Sequence, residues 1–468
     1  MMQSRNPRAG RYVKQGQGTL GYDAFIPAPL PPDPPVKIDP DMALLLSKAA
    51  TALERLNGST TNLPNPDLFV AMYVKEEALL SSQIEGTQCS LDDVLAFEAG
   101  EKGQENPKDV AEVVNYIAAM KYSLQRVKRN GFPLSLRLIR EIHEKLMTAG
   151  VRGGDKTPGE FRTSQNWIGP PDCTLDSAIF VPPPVHEMKQ ALHNLEEFLR
   201  KQEVYPPLIH CGLAHAQFET IHPFLDGNGR VGRLLVTFLL CEQGILRRPL
   251  LYLSLFLKVH HEEYYDKLMA VRTEGNWEGW LKFFLRTVQE ASASATSTAE
   301  AIVKLQKDHL AWIPKNEDTV GLLDLMFEQP VLTVPFVMRR RNCMYRSAIS
   351  LLGQFEELGL LKKWFKLSDG SLVPLRDAGV PEPALSELNA LKNKEFETKL
   401  QLEQELTKLL DKSGLEASES PVLNKALKDF KEAAENPDTR YRYHHYLALF
   451  ETLNARTETP SGPEKTGD

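Results

Sequence analysis

Between residues 222 and 233 the chain reads His222-Pro223-Phe224-Leu225-Asp226-Gly227-Asn228-Gly229-Arg230-Val231-Gly232-Arg233. Each part of this run has a use in phosphate chemistry. Val231, Leu234, Leu235, Phe238 and Leu239 recur at helical spacing, so a helix begins near Gly229 or Arg230. A glycine-rich turn feeding a helix N-terminus leaves backbone N–H groups free, and the helix dipole there favours an anion. Arg230 and Arg233 stand three apart, so they neighbour each other on one face and extend the anion site with guanidinium donors. Asp226 supplies a hard oxygen ligand of the kind Mg²⁺ needs when it bridges phosphates. His222 can titrate near neutrality, as a general base for a hydroxyl nucleophile must. Taken singly, a histidine before proline is usually structural and Gly-x-Gly is usually a turn. The bland reading is a capped core helix with a solvated arginine face, and it leaves the coincidence of base, metal ligand, nest and arginines unexplained. One phosphate-handling site accounts for all of them.

The elements that must position this run read as mainly α. Residues 1–40 are rich in Gly and Pro and read as an extended or polyproline-like strap, with little packed structure. Helical signals begin at Met42 and continue through Pro66–Ile84, with more helices near 107–128, 134–148, 185–202, 206–219 and 229–243. Residues 161–182 break the helical rhythm with β-formers around Gly169-Pro170-Pro171-Asp172, the pattern of a short hairpin. The small, polar run 291–299 reads equally as a helix face or a linker. Residues 318–363 read as three helices, followed by strand, turn and strand over 362–375 around Asp369-Gly370, an order that suits a winged helix. Two charged, leucine-bearing patterns, 384–411 and 421–455, predict long helices that pack as a hairpin or an oligomer surface. The resulting division is a strap (1–40), an N-terminal helical region (41–110), a catalytic core (111–300), a winged-helix-like domain (315–378), a helical extension (381–456) and a disordered tail (457–468).

The totals exclude several classes. A chain of 468 residues is long enough for two to four domains and needs no covalent staples. Its formal charge of −7 argues against whole-surface attraction to nucleic acid or anionic lipid. Five scattered cysteines, without any C-x-x-C spacing, suit a reduced, cytoplasmic setting. The basic N-terminus has no apolar run behind it, so it does not read as a secretory signal. No stretch approaches the roughly 20 apolar residues of a membrane span. The adjacent pairs His260-His261 and His444-His445 lack the spacing of a metal site, and His210 and His215 read as core residues.

The run 222–233 resembles the signature of Fic-domain proteins, H-P-F-x-[D/E]-G-N-G-R-x-x-R, and matches it at every fixed position. The resemblance extends over about 40–290: Pro158–Gly169 followed by Ala178–Pro184 is similar to the family's target-aligning flap, and Ser81, Glu85 and Gly86 meet its inhibitory motif [S/T]-x-x-x-E-[G/N]. It implies a helical core with a small β flap and transfer of AMP from ATP to a Ser, Thr or Tyr hydroxyl of a target protein. His222 would be the base and Asp226 the Mg²⁺ ligand. The backbone of Gly227, Asn228 and Gly229 would hold phosphate oxygens, with Arg230 on the β- and Arg233 on the γ-phosphate. The whole stretch through Val231 and Gly232 would thus line the ATP site. Tyr264-Tyr265 resembles an adenine-lining pair, although core packing explains it equally well. Glu85 would pair with Arg233 and hold ATP out of line.

Other readings stand beside this one. The same fold could remove AMP, or transfer phosphate or another part of a nucleotide. The segment Arg339–Arg341 with Arg346 suits a DNA-binding helix, although Leu351, Leu352, Phe355, Leu358 and Leu360 show much of it packing a core. Self-modification and homo-oligomerisation are further expectations, and membrane contact is not.

Overall fold

The computed structural model describes residues 6–16, 21–59, 66–100, 107–130, 134–148, 150–170, 173–201, 204–366 and 438–458, with isolated residues between 394 and 409. The chain divides into two compact units, one built on residues 1–91 and 108–301 and the other on 92–107 and 302–452.

The first unit opens with an antiparallel hairpin, β1 (Gly10–Gln15) and β2 (Tyr22–Pro27), in the register Gly10 to Pro27 through Gln15 to Tyr22. This corrects the strap reading. Ala24 and Phe25, which point to opposite faces of β2, are both completely buried, so the segment is packed against other structure on its two sides. Helices follow along the chain: α1 (Pro40–Ser59), α2 (Pro66–Ile84), α3 (Leu91–Glu98), which from Asp92 on belongs to the second unit, α4 (Pro107–Asn130), α5 (Leu136–Leu146), α6 (Val185–Arg200), α7 (Pro207–Ile221), α8 (Asn228–Glu242), α9 (Leu253–Val259), α10 (His261–Glu274) and α11 (Trp277–Trp312), whose residues from Ile302 on belong to the second unit. The core helix is α7. Every residue from Leu208 to Ile221 is buried, so it is enclosed on all sides and not merely amphipathic. Two of its buried polar residues find partners: His210 bonds the Phe198 carbonyl at 3.0 Å, and the Gln217 amide donates to the Ala28 carbonyl at 2.9 Å. α5 starts at Ser135, whose hydroxyl caps the Leu138 N–H, and turns Leu138, Ile139, Ile142, His143 and Leu146 inward.

The run 291–299 is helix, not linker, and lies inside α11. Ala291, Ala295 and Ala299 form a buried small-residue stripe, against which Tyr73 approaches closely enough to donate to the Ala295 carbonyl at 2.9 Å.

In the second unit, α12 (Glu317–Glu328) begins with an Asn316/Thr319 capping box. β3 (Val331–Leu332), α13 (Val334–Arg341), α14 (Tyr345–Glu357), β4 (Lys362–Lys366), β5 (Asp438–Arg442) and α15 (His444–Glu458) complete it. The sheet order is β3-β5-β4, antiparallel throughout. Two expectations change here. The partner of β4 is β5, from far along the chain; the expected second strand to 375 lies outside the described residues, as does most of 384–411. Residues 421–455 are not one helix, because Asp438–Arg442 is a strand. Alternation in Arg440-Tyr441-Arg442-Tyr443 explains the strand. Tyr443 and Tyr446 then pack edge-on against Phe327 in the unit's core, and Phe450 packs against Tyr446.

Candidate active site

The signature run is the α7–α8 connection. His222 closes α7 in the left-handed conformation (φ 49°, ψ 61°), with its N–H on the Phe218 carbonyl. A non-glycine residue there is uncommon and must be held by its surroundings. The holding groups come from the flap segment. Arg162, 1% exposed, donates from Nε to the His222 carbonyl at 3.1 Å, and the Asn166 amide donates to the carbonyls of His222 (3.2 Å) and Phe224 (2.8 Å). Asn228 closes the turn from within: its Oδ1 accepts the Phe224 N–H and its Nδ2 donates to the Phe224 carbonyl, both at 2.8 Å.

His143 completes the cradle. Its ring stacks on Phe224 at 3.7 Å, its Nδ1 accepts the Gly159 N–H at 2.9 Å, and its Nε2 meets the Asp226 carbonyl at 3.0 Å. These partners require the neutral tautomer with the proton on Nε2. Burial agrees, pushing its pKa down to about 4.

The His222 ring is half-buried, and its Nδ1 is enclosed without a hydrogen-bond partner among the described residues. Burial, reinforced by the guanidinium groups of Arg272 and Arg162, holds the imidazole down at about 3. It is therefore neutral, with a free lone pair, throughout the physiological range.

Gly227 (φ 76°) is the N-cap of α8, and its N–H is taken by its neighbour's carboxylate, Asp226 Oδ1, at 2.7 Å. The other oxygen, Oδ2, lies 3.3 Å from Lys156 Nζ. Arg230 is 3% exposed and lies 3.6 Å from Asp226 Oδ1 and 3.5 Å from Glu112 Oε2. Arg233 is 1% exposed. Its Nε donates to Ser81 Oγ at 2.8 Å, and its Nη2 donates to the Ser81 carbonyl at 2.9 Å and to Glu85 Oε1 at 2.7 Å. The same Glu85 carboxylate lies so close over Gly229 that a Cβ there would collide with it. A carboxylate thus sits on the first turn of α8, where dipole and guanidinium both favour negative charge. Gly86 (φ 91°) turns the chain away immediately afterwards.

Beneath the turn, Gly232 carries no side chain because Glu219 fills that space. Glu219 is buried with Oε1 unpartnered among the described residues, and desolvation outweighs Arg233 to raise its pKa to about 7. His215 bonds the Gly232 carbonyl at 2.9 Å and the Tyr264 hydroxyl at 3.0 Å. Tyr264 therefore belongs to the core beside Trp280, while Tyr265 is 36% exposed. Val231 packs in the core.

The structure thus brings His222, Asp226–Gly229, Arg230, Arg233, Ser81 and Glu85 together, and separates the environments of the two tyrosines. Sequence reasoning passed over Arg162, Asn166, His143 and Glu112. Only their position in the neighbouring helix and flap connects them to the signature, and no local spacing reveals that. The flap itself is less regular than a hairpin. Among the described residues a single antiparallel bridge joins Ile168 and Phe180, and Phe25 of β2 ties on through its N–H to the Val181 carbonyl at 2.9 Å.

A helical core in which a left-handed histidine and a glycine turn feed an arginine-bearing helix defines a Fic-type site. Residues 43–125 match the Fic/DOC family N-terminal model and residues 133–240 the Fic/DOC family model. The chain thus carries a Fic domain over these residues. It is 28% identical over 178 residues to a probable protein adenylyltransferase of Aquifex aeolicus (38% of this chain, 51% of that protein). It is 32% identical over 178 residues to the protein adenylyltransferase Fic of Aedes aegypti (37% of this chain, 31% of that protein). The chain thus spans about half the length of the first and a third of the second. A crystal structure of a Fic family protein from Desulfovibrio desulfuricans superposes with a TM-score of 0.48 at 20% identity, covering 70% of this chain and 93% of that one.

Proposed function

We propose that this chain is a protein adenylyltransferase, transferring AMP from ATP to a Ser, Thr or Tyr hydroxyl and releasing pyrophosphate, with Glu85 as its brake. The observation that carries the reading is an anion site already holding an anion: the Glu85 carboxylate on Arg233 at the first turn of α8. The adenylyltransferase names of the relatives support the same reaction.

In this mechanism the hydroxyl proton passes to the neutral imidazole of His222. The oxygen attacks the α-phosphorus as the bond to the pyrophosphate oxygen breaks. Arg162 and Asn166 fix the carbonyls of the turn, so the base is positioned before substrate arrives. Backbone N–H groups of α8, Arg230 and Arg233 take up the phosphate charge. Asp226, one carboxylate with its side chain 33% exposed, fits a Mg²⁺ that draws its remaining ligands from phosphates and water. Mg²⁺ there would neutralise phosphate charge. Glu85 occupies the Arg233 donor meant for the γ-phosphate, so a nucleotide bound beside it would sit out of line. A target strand pairing along the flap at Ile168 would present its hydroxyl to His222. Tyr265, the exposed member of its pair, would face adenine.

We read the second unit as a winged-helix-like contact module and not a DNA reader. Arg339 donates to the Ala99 carbonyl, Arg340 pairs with Glu328 at 2.5 Å, and Arg341 donates to the Glu317 carbonyl at 3.0 Å. Those arginines are engaged within their own unit, which leaves Arg346 as the main basic group for phosphate contact.

Incubating the chain with ATP and Mg²⁺ and mapping the product by mass spectrometry tests the reading. AMP on a Ser, Thr or Tyr is the expected product; a transferred phosphate or pyrophosphate would overturn it.

A further inference from the structure

Glu112 of α4 is 1% exposed, yet three separate stretches of the first unit converge on its carboxylate. Thr87, from the turn just after Glu85, donates its hydroxyl at 2.8 Å. Arg152, from the loop that faces Asp226, donates from Nε at 2.8 Å. Arg230 of α8 stands 3.5 Å away through Nη1. One turn earlier in α4, Asp109 accepts the Gln88 N–H at 2.6 Å and lies 3.8 Å from Arg152.

The Arg230 contact is unusual. Its Nε and Nη1 are buried and have no hydrogen-bond acceptor among the described residues. Glu112 therefore balances the guanidinium charge without consuming its donors. A buried, unpaired guanidinium would be costly, and one fully hydrogen-bonded to Glu112 would be unavailable to an anion. The observed arrangement avoids both. The Thr87 bond adds a second link. The chain leaves the first unit at Leu91 and re-enters it at Lys108. Thr87–Glu112 and Gln88–Asp109 thus staple the exit of this excursion to its return. The stapled exit is the same turn that places Glu85 on Arg233.

We propose that Glu112 is a positioning residue shared by both halves of the switch: it aims Arg230 at phosphate, and through Thr87 it anchors the turn that holds Glu85 on Arg233. This rests on the nucleotide-transfer reading above. Loosening the staple frees Glu85, while neutralising Glu112 mis-aims Arg230 and weakens the ATP site. The two effects have opposite signs and fall on different parameters.

The test uses the full chain as wild type, Thr87→Val, Thr87→Ser, Glu85→Gly, Glu85→Gly with Thr87→Val, and Glu85→Gly with Glu112→Gln. Self-labelling from α-labelled ATP is followed across ATP concentration, and thermal unfolding confirms that each variant is folded. Thr87→Val is expected to label about fivefold faster than wild type, the effect of losing one net hydrogen bond. Thr87→Ser, which keeps the hydroxyl, stays at the wild-type rate. In the Glu85→Gly background Thr87→Val changes nothing, because no brake remains to release. Glu112→Gln in that background raises KM for ATP about tenfold with kcat nearly unchanged. If Glu85→Gly labels strongly while Thr87→Val equals wild type, or if Thr87→Val acts equally in both backgrounds, the coupling is wrong. A fall in kcat and melting temperature without a change in KM would make Glu112 purely structural. If Glu85→Gly itself fails to label, the underlying reading falls and the coupling with it.

Discussion

His222 and Glu85 show how far single residues can be read. The signature spacing fixed which side chains meet, because the turn and the first helical turn of α8 are local in sequence. Their environments were not legible, since burial is set by residues far along the chain. Burial, reinforced by the guanidinium groups of Arg272 and Arg162 from other elements, holds the His222 imidazole down at about 3 and not near neutrality. A base that stays neutral to low pH predicts that its protonation does not limit transfer between pH 8 and 5. An activity loss with an apparent pKa near 6.5 would contradict that. Glu219 has the opposite sign: its folded pKa of about 7 lies above the unfolded value near 4.5. The folded state then binds the extra proton, so this contribution is fully present below about 4.5 and is lost as pH rises through 7. Glu219→Gln is expected to gain melting temperature relative to wild type as pH goes from 5 to 8; a constant difference would refute the assignment. The Glu85–Arg233 bond is charge-assisted and half-enclosed, and such bonds contribute roughly 1.5–3 kcal/mol. Glu85→Gly should therefore raise self-labelling on the order of tenfold to a hundredfold.

At the level of elements, periodicity located most helices of the first unit, because their apolar stripes face one core. It failed where burial is not one-sided or where partners are distant. The hairpin β1–β2 hid in a Gly/Pro-rich segment, and β5 hid in a charged stretch whose strand partner β4 lies far back in the sequence. The seating of α8 on α7 depends on Gly232, whose missing side chain makes room for Glu219. Gly232→Ala should cost about 1–3 kcal/mol in stability, the usual penalty for overpacking, read by chemical denaturation. No loss would show that Glu219 moves aside freely. The flap acts through Asn166, which holds the carbonyls on either side of Pro223. Asn166→Ala is expected to lower kcat by about tenfold to a hundredfold while leaving ATP binding nearly intact, as a small misplacement of the base would. Weakened ATP binding with normal kcat would place Asn166 elsewhere in the mechanism.

For the molecule as a whole, composition excluded more than it identified. No helix among the described residues is long and apolar enough to cross a membrane. The acidic balance and the internally engaged arginines of α13 lead us to expect no retention of duplex DNA by the full chain at physiological salt. Salt-resistant binding lost in Arg346→Ala would reverse that. The division into two units was only partly legible, because the second borrows residues 92–107 from the end of the N-terminal region, and no composition shift marks the excursion. The central claim, a transferase with a built-in brake, rests on one comparison. Wild type, Glu85→Gly and His222→Ala, each folded, are incubated with Mg²⁺ and α-labelled ATP, and label on protein is counted. Strong label on Glu85→Gly, weak label on wild type and none on His222→Ala is the expected result. Equal label on all three, or none on Glu85→Gly, would contradict it.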